Sequence, residues 1–274
     1  MRLAHISDLH LLSPEHEHEP EHETAGNGFG STEMAMAIAD DLIAISDGLD
    51  LVIVSGDLTD RADAASFATI ERILGQIDLP VLVVPGNHDG PSGMIDYLRH
   101  ATTLADWDLS NRAVRIGAFK FIGLNTSVDG LTQGALDDAA LAFVERHVAQ
   151  DRDRQLAIVM HHPPLLLGLD QFDGFCQIEN GADFLRILAG AGRETLVFSG
   201  HVHRPYTVRN GNVACHVAGS MIAPYDSAHP FGADPIRPAA LQDFYFIHDI
   251  DPGGRHVVTP QRVRGLADRL RHPQ

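Results

Sequence analysis

The sequence predicts an α/β fold over its first two-thirds. Short runs of β-branched and aliphatic residues, with the length of buried strands, alternate there with stretches of helical periodicity. The predicted strands are Leu3–Ile6, Leu51–Val54, Val81–Val84, Leu156–Met160 and Leu196–Phe198. Each is followed closely by His, Asp or Asn, which indicates that polar side chains gather at one edge of a sheet.

The segments between these strands predict helices. In three of them, apolar residues recur every three or four positions and therefore share one helical face. The three faces comprise Met34, Ile38, Leu42 and Ile45; Phe67, Ile70, Ile73 and Leu74; and Leu136, Ala140, Phe143, Val144 and His147. Farther along, Ala113–Ile116 and Lys120–Leu124 flank a Gly-Ala pair and predict a hairpin.

The last third of the chain has a different pattern. Four apolar segments separated by turn residues predict antiparallel strands: Pro205–Val208, Val213–Ala218, Phe244–Ile250 and His256–Val263. We therefore divide the chain into a core that carries the polar clusters (1–222), an irregular excursion (223–241), and C-terminal strands that complete the fold, with a tail (242–274). The excursion, Ala223–Leu241, is rich in proline and too long for a hairpin turn, so we interpret it as a lid or a subunit contact, with a plain surface excursion as the alternative.

A second irregular segment, Glu15–Glu23, consists of Glu and His with one proline. It has no apolar face with which to pack, so we expect a solvated loop. Its position shortly after the first polar cluster leaves a gating or metal-collecting role as the alternative.

Composition narrows the range of partners. There are 37 acidic and 20 basic residues, and the net charge of −17 disfavours nucleic acid polymers and anionic membrane surfaces. No apolar run approaches the roughly 20 residues that span a bilayer, and Met1 leads directly into a predicted strand with no cleavable leader. Cys176 and Cys215 offer no disulfide framework. We expect a cytoplasmic protein that forms a homo-oligomer.

The polar clusters have the composition of metal sites. They are Asp8-Leu9-His10, Gly56-Asp57, Gly86-Asn87-His88-Asp89, His161-His162 and Gly200-His201-Val202-His203. In an extended segment, residues i and i+2 project to the same side, so Asp8 with His10 can grip one ion, and His201 with His203 can face the same site. Asp57 has the position of a carboxylate that bridges two ions. Imidazole and amide donors with only two carboxylates suit iron, manganese, zinc or cobalt better than calcium or magnesium.

Taken in order, these five clusters resemble the signature of the calcineurin-like metallophosphoesterases, over residues 1 to about 220. The segments Ala4–Asp8, Val54–Asp57, Pro85–Asp89 and Met160–Pro164 are similar to the bacterial glycerophosphodiesterase and class III cyclic-nucleotide phosphodiesterase group. The resemblance implies a four-layer α/β/β/α sandwich with its site where the loops of the two sheets meet. Relatives in this group often carry a further histidine after the strand that here is Val213–Ala218, and this chain has Gly219–Ile222 there.

The resemblance also implies a role for each residue. Asp8, His10, Asp57 and His203 would hold one metal ion, and Asp57, Asn87, His161 and His201 would hold the second. His88 would be catalytic without being a ligand, and together with Asn87 it would contact the substrate. The nucleophile would be a metal-bound hydroxide that attacks in line. From strand alternation, His162 faces away from the site, and Asp89 either orients His88 or caps the following helix.

The expected activity is hydrolysis of small organic phosphodiesters such as glycerophosphodiesters. Monoesters carry an extra negative charge and usually demand cationic clamps, and the motif segments offer few arginines or lysines. The alternative substrate is a 3′,5′-cyclic nucleotide, although 6% aromatic residues offer few stacking partners for a base. A non-catalytic interaction scaffold of the same fold is a remote alternative, because every ligand position is filled.

Overall fold

The computed structural model describes residues 1–13, 30–100, 103–168, 173–174, 176, 178–226, 237–238, 242–251 and 253–266. The acidic run Glu15–Glu23 and most of the excursion Ala223–Leu241 lie outside these residues. The predictions made for those two segments therefore stay predictions.

Five strands form the first sheet, and three of them end in polar clusters. The order is β15 (His256–Arg262), β14 (Phe244–Ile250), β1 (Arg2–Ile6), β2 (Leu51–Val54) and β3 (Val81–Val83). β1, β2 and β3 run parallel, β14 runs antiparallel to β1, and β15 runs antiparallel to β14. The carboxyl ends of β1, β2 and β3 therefore meet at one edge of this sheet.

Six strands form the second sheet. The order is β10 (Tyr206–Asn210), β11 (Val213–Val217), β9 (Thr195–Ser199), β7 (Gln155–Val159), β5 (Phe119–Gly123) and β4 (Arg112–Ile116). The four inner strands are parallel, while β4 and β10 pair antiparallel at the two edges, and β4 with β5 forms the predicted hairpin. The expectation of purely antiparallel strands after Gly200 is wrong for β11. Because β10 runs back along the edge and turns, β11 re-enters beside β9 in the same direction as β9.

Six α-helices occupy the described segments between strands. They are α1 (Ser31–Ile45), α2 (Ala64–Leu74), α3 (Pro91–Leu98), α4 (Thr103–Trp107), α5 (Asp138–Ala149) and α6 (Gly181–Ala189). Two begin at aspartate caps: the carboxylates of Asp63 and Asp137 accept hydrogen bonds from the backbone N–H groups of Ser66 and Ala140. No helix in the described ranges has the length and apolar character needed to cross a membrane.

Three apolar clusters separate the layers. The first packs α1 and α2 against the outer face of the first sheet, and the second packs α5 and α6 against the outer face of the other sheet. The third lies between the sheets and includes Leu3, Ile53, Phe121 and Phe198. Alternate residues of a strand face opposite clusters, as Leu3 and Ala4 do. The predicted α/β/β/α sandwich is confirmed.

Two short ladders lie outside the sheets, β6 (Gly134–Ala135) with β8 (Ile178–Glu179) and β12 (Tyr225–Asp226) with β13 (Arg237–Pro238). One topological expectation needs correction. The five motif-bearing strands do not share a single sheet edge, because β1, β2 and β3 belong to the first sheet whereas β7 and β9 belong to the second. The polar clusters consequently converge from both sheets.

Candidate dinuclear metal centre

The backbone that carries the predicted ligands is strained. Five of the seven have positive φ angles: Asp8 (55°), His10 (41°), Asp57 (49°), His201 (74°) and His203 (54°). Left-handed backbone at a non-glycine residue costs roughly 1–3 kcal/mol and persists only where the surrounding structure enforces it. All five lie on the loops that follow β1, β2 or β9, so the strain is concentrated where the polar clusters of the two sheets meet.

The first group of converging side chains contains Asp8, His10, Asp57 and His203. All four are buried, and one potential ligand atom of each lies within 4.8 Å of the others. Asp57 Oδ2 lies 3.5 Å from His10 Nε2, and Asp8 Oδ1 lies 3.5 Å from His203 Nε2. The Nε2 atoms of His10 and His203 are 2.9 Å apart. These four side chains could hold one metal ion.

The second group contains Asp57, His161 and His201, whose potential ligand atoms meet the same 4.8 Å limit. His161 Nε2 lies 3.3 Å from Asp57 Oδ2 and 3.2 Å from Asn87 Oδ1. The ring centroids of His161 and His201 are 5.0 Å apart. Asn87 thus adds an amide oxygen beside this second group.

Asp57 belongs to both groups through a single atom. Its Oδ2 faces His10 on one side and His161 on the other, while its Oδ1 accepts a hydrogen bond from the backbone N–H of His88 at 2.8 Å. The backbone of Gly86 passes so close that a Cβ at that position would collide with Asp57 Oδ1. The carboxylate is therefore held with one oxygen between the two sets of donors, as a bridging ligand requires.

The imidazoles are oriented by their other ring nitrogens. The Nδ1–H of His203 donates to the carbonyl of Ala223 at 2.6 Å, and that of His161 donates to the carbonyl of Ser55 at 2.9 Å. Because a carbonyl only accepts, each neutral ring presents the lone pair of Nε2 to the centre. His10 Nδ1 lies 3.0 Å from a carboxylate oxygen of Asp60, which favours the same tautomer. Lone pairs that face one another at 2.9 Å fit an intervening cation.

The charges of the metal-free centre are tightly linked. Burial, with Asp57 adding to it against the opposing effect of His161, raises the pKa of Asp8 to about 6. Burial alone would raise the pKa of Asp57, but His161 and His10 hold it well below its ordinary value. Burial likewise opposes the charged form of His161, yet Asp57 and Asp8 raise its pKa to about 9. A metal ion bound here must displace that proton, so metal affinity should fall at low pH.

Comparison with known proteins identifies the family. A family model described as calcineurin-like phosphoesterase matches residues 1–205. The chain belongs to the calcineurin-like phosphoesterase family. The predicted family and the predicted enzyme class, a phosphoesterase, are thereby confirmed.

Two curated relatives share much of the length of this phosphoesterase. It is 31% identical over 206 residues to the glycerophosphodiester phosphodiesterase GpdQ of Enterobacter lignolyticus, covering 74% of this chain and 71% of the relative. It is 28% identical over 208 residues to a protein named probable cyclic nucleotide phosphodiesterase in Coxiella burnetii, covering 76% of this chain and 78% of the relative. Among solved structures, a dimetal phosphatase from Danio rerio shares the fold, with a TM-score of 0.62 at 13% identity and coverage of 95% and 98%.

Sequence reasoning missed Asp60, which supports two histidines of the phosphoesterase centre. Its Oδ1 lies 3.0 Å from His10 Nδ1 and 3.4 Å from His88 Nδ1, and its backbone carbonyl lies 3.1 Å from the same atom of His88. The His88 side chain is 42% exposed and its ring packs edge-on against that of His10. The Gly56-Asp57-Leu58-Thr59-Asp60 run, in which a second aspartate follows three residues after the first, is the signal that could have found it.

Asp89 serves the backbone of the site and performs neither of its two predicted roles. Its buried carboxylate accepts hydrogen bonds from the N–H groups of Leu58, Thr59 and Gly86, at 2.8 to 3.1 Å. The N-cap residue of α3 is Gly90, and the backbone N–H of Ser92 in the first turn of that helix donates to Asp129, not to Asp89. Asp89 therefore ties the loop after β2 to the loop after β3.

His162 faces away from the Asp57 carboxylate, as strand alternation predicts. Its Nδ1 lies 2.7 Å from Thr126 Oγ1, and its Nε2 lies 2.9 Å from the carbonyl of Thr132. Its ring nevertheless packs 4.4 Å from the ring of His201, measured between centroids. His162 thus packs against the predicted ligand His201 on the side away from the Asp57 carboxylate.

The described beginning of the excursion contacts the centre. The ring of Tyr225 stacks on that of His203, with centroids 4.7 Å apart and planes 10° from parallel. Ala223 supplies the carbonyl that orients the same histidine. Sequence reasoning did not single out Tyr225, because a lone tyrosine in an irregular segment carries no spacing signal.

Proposed function

We propose that this phosphoesterase hydrolyses small organic phosphodiesters at a dinuclear metal centre. The observation that carries the proposal is the placement of Asp57 Oδ2, 3.5 Å from His10 Nε2 and 3.3 Å from His161 Nε2. One oxygen facing two separate sets of lone pairs is the arrangement of a carboxylate shared by two cations.

We assign Asp8, His10, Asp57 and His203 to one ion, and Asp57, Asn87, His161 and His201 to the other. The donor set favours iron, manganese, zinc or cobalt, because imidazole nitrogen outnumbers carboxylate. When bound, the two ions would supply an activated water and positive charge for the phosphoryl oxygens. The residues themselves hold that charge in a buried pocket, where it acts more strongly than in water.

His88 is the proposed catalytic residue. It lies at the exposed rim of the centre, and its backbone N–H holds Asp57 in place. Burial lowers the pKa of His88, but the Asp60 hydrogen bond and the Asp57 charge outweigh this effect and raise it to about 9. A protonated imidazole at this position can donate to a phosphoryl oxygen or to the departing alkoxide. With Asn87, it forms the proposed contact surface for substrate.

The motif segments offer few arginines or lysines to clamp the second negative charge of a monoester, which favours a diester as the substrate. Two dications bring four positive charges, and Asp8 and Asp57 return two negative ones. The remaining local charge of about +2 attracts a singly charged diester at short range, although the whole chain carries −17. The name of the Enterobacter relative supports a glycerophosphodiester as the leading substrate class.

A cyclic nucleotide is the second candidate. The name of the Coxiella relative supports it, and Tyr225 provides one partly buried aromatic ring beside His203 against which a base could pack. The low aromatic content of the chain remains the argument for ranking it second.

The direct test is turnover of a substrate panel by protein that has been stripped with a chelator and reloaded separately with manganese, iron, zinc or cobalt. The panel contains bis-p-nitrophenyl phosphate, a glycerophosphodiester, cyclic AMP and the monoester p-nitrophenyl phosphate. We expect metal-dependent activity with the highest kcat/KM for the glycerophosphodiester. Preference for cyclic AMP would favour the second candidate. Preference for the monoester, or inactivity with every metal, would contradict the proposal.

We further propose that the enzyme is a cytoplasmic homo-oligomer without nucleic acid or membrane partners. The net charge of −17 supports the exclusion of polyanionic surfaces. Light scattering coupled to gel filtration would measure the oligomeric state, and a monomeric mass would contradict this part of the proposal.

A further inference from the structure

A second cluster of histidines lies between the two sheets. His248 on β14 and His256 on β15 come from the first sheet, and His216 on β11 comes from the second. One ring nitrogen from each of the three lies within 4.8 Å of the others. None of these residues belongs to the dinuclear centre.

Regular strand geometry brings the three rings together. His248 pairs with Val258, which places His256 diagonally across the ladder on the same face. The ring centroid of His216 lies 5.1 Å from that of His248 and 4.6 Å from that of His256. His248 is fully buried, His216 is 7% exposed and His256 is half-buried at the edge. Two of the three rings, those of His216 and His248, line a cleft of about 140 Å³.

Hydrogen bonding leaves this cluster incompletely satisfied. His248 Nδ1 and His256 Nε2 are 2.9 Å apart, and His216 Nδ1 lies 3.2 Å from Thr207 Oγ1. Within the described part of the chain, the buried Nε2 atoms of His216 and His248 have no hydrogen-bond partner. A buried polar atom without a partner is costly, so two in one cluster point to a ligand that satisfies them.

The protonation state of these histidines indicates that the ligand is a metal ion. Burial lowers the pKa of His216 to about 3 and that of His248 well below its ordinary value, so both rings are neutral at physiological pH. Neutral imidazole is the form that binds metals. The hydrogen bond between His216 and Thr207 is the kind of support that orients a metal-binding imidazole.

We propose that His216, His248 and His256 form a third metal site, which binds a single zinc, cobalt or nickel ion. The bound ion would link the two sheets. The group of potential donors contains three imidazoles and no carboxylate. Such a set suits zinc, cobalt or nickel and not calcium or magnesium. Three protein ligands leave a fourth position for a small ligand from the cleft, as in three-histidine zinc sites.

The proposal is tested by metal stoichiometry. Chelator-stripped protein is titrated with Zn²⁺ and analysed by calorimetry and elemental analysis, for the wild type, His256→Ala and the control His100→Ala. His256 is chosen because it is the least buried of the three, and His100 because it is exposed and distant in sequence. We expect His256→Ala to bind one equivalent fewer than the wild type and His100→Ala to match the wild type. Equal stoichiometry in all three proteins would overturn the proposal.

The double variant Asp57→Asn, His161→Ala separates this site from the dinuclear centre. With that centre disabled, one Zn²⁺ should still bind, and Co²⁺ in its place should give the visible absorption of a four-coordinate nitrogen site. Addition of Thr207→Val, which removes the partner of His216 Nδ1, should weaken this binding by roughly 10–100-fold. Absence of zinc binding in the double variant, with an unchanged far-ultraviolet circular dichroism spectrum, would contradict the proposal. So would binding that is indifferent to Thr207→Val.

Discussion

The two histidine clusters of this phosphoesterase are built in opposite ways. At the proposed dinuclear centre, residues such as Asp8, Asp57 and His201 lie on loops shortly after strands, with positive φ angles. Between the sheets, His216, His248 and His256 lie within regular strands, and none of the three has a positive φ angle. The first cluster includes two buried carboxylates and the second contains imidazoles alone.

The difference shows two physical costs of a polar site. At the centre the cost is backbone strain, roughly 1–3 kcal/mol at each left-handed residue. The loops also pack so closely that a Cβ at Gly86 would collide with Asp57, and one at Gly200 with Asp8. Between the sheets the backbone is relaxed and the cost is desolvation of imidazole nitrogens. Strain allows side chains from two sheets to converge on a reacting group, whereas regular strands suit a site that only joins the layers.

Replacement of His88 by alanine should have the largest effect among residues that are not ligands. The imidazole is proposed to stabilise the negative charge that forms in the transition state and not to bind metal. Without it, kcat should fall by roughly 10²–10⁴-fold while the metal content stays unchanged. Steady-state kinetics and elemental analysis measure the two quantities, with His100→Ala as the matched control. Metal loss in His88→Ala would instead place this histidine in the coordination shell.

Replacement of Asp60 by asparagine should have a smaller effect on the same centre. Asp60 holds His10 through a contact of 3.0 Å and raises the pKa of His88. Its loss should lower metal affinity or activity by roughly 10–100-fold. It should also move the alkaline limit of activity to lower pH, because His88 would lose its proton sooner. The exposed Asp78→Asn serves as control, and an unchanged pH profile in Asp60→Asn would contradict the role given to Asp60.

The inter-sheet cluster should make the metal-free protein sensitive to acid. Burial, with His256 adding to it, lowers the pKa of His216 to about 3, and burial holds the pKa of His248 well below its ordinary value, whereas an unfolded histidine titrates near 6.5. The unfolded state then binds more protons, so the free energy of unfolding should decrease as pH falls from 6.5 toward 3. Each such group contributes at most about 1.4 kcal/mol per pH unit.

Urea denaturation in the presence of a chelator, between pH 7 and pH 5, measures this slope. His216→Leu should reduce it by the contribution of one group, while His100→Ala should leave it unchanged. A slope that is the same in His216→Leu and the wild type would show that His216 is not a neutral buried imidazole.

Most of the strands could be predicted from the sequence, because they are short aliphatic runs. The seven proposed ligands remain a prediction from the motifs and the family resemblance, and the structure brings most of their side chains together. The sheet to which each strand belongs could not be predicted, because an aliphatic run such as Leu156–Met160 does not indicate which strands pair with it. Asp60 was missed although it lies only three residues after Asp57. The inter-sheet cluster was missed for a different reason. His216, His248 and His256 come from separate strands with no motif spacing, and only the register of β11, β14 and β15 brings them together.

The central claim is that one carboxylate bridges two metal ions, and the metal content of Asp57→Asn tests it most directly. Asparagine preserves the shape of the side chain and removes one charge from between two cations. Elemental analysis of Asp57→Asn should show that both ions of the centre are weakened together, with turnover reduced by about 10³-fold or more. The exposed Asp96→Asn should behave as the wild type. Full metal content with full turnover in Asp57→Asn, or loss of only one ion of the pair, would contradict the account.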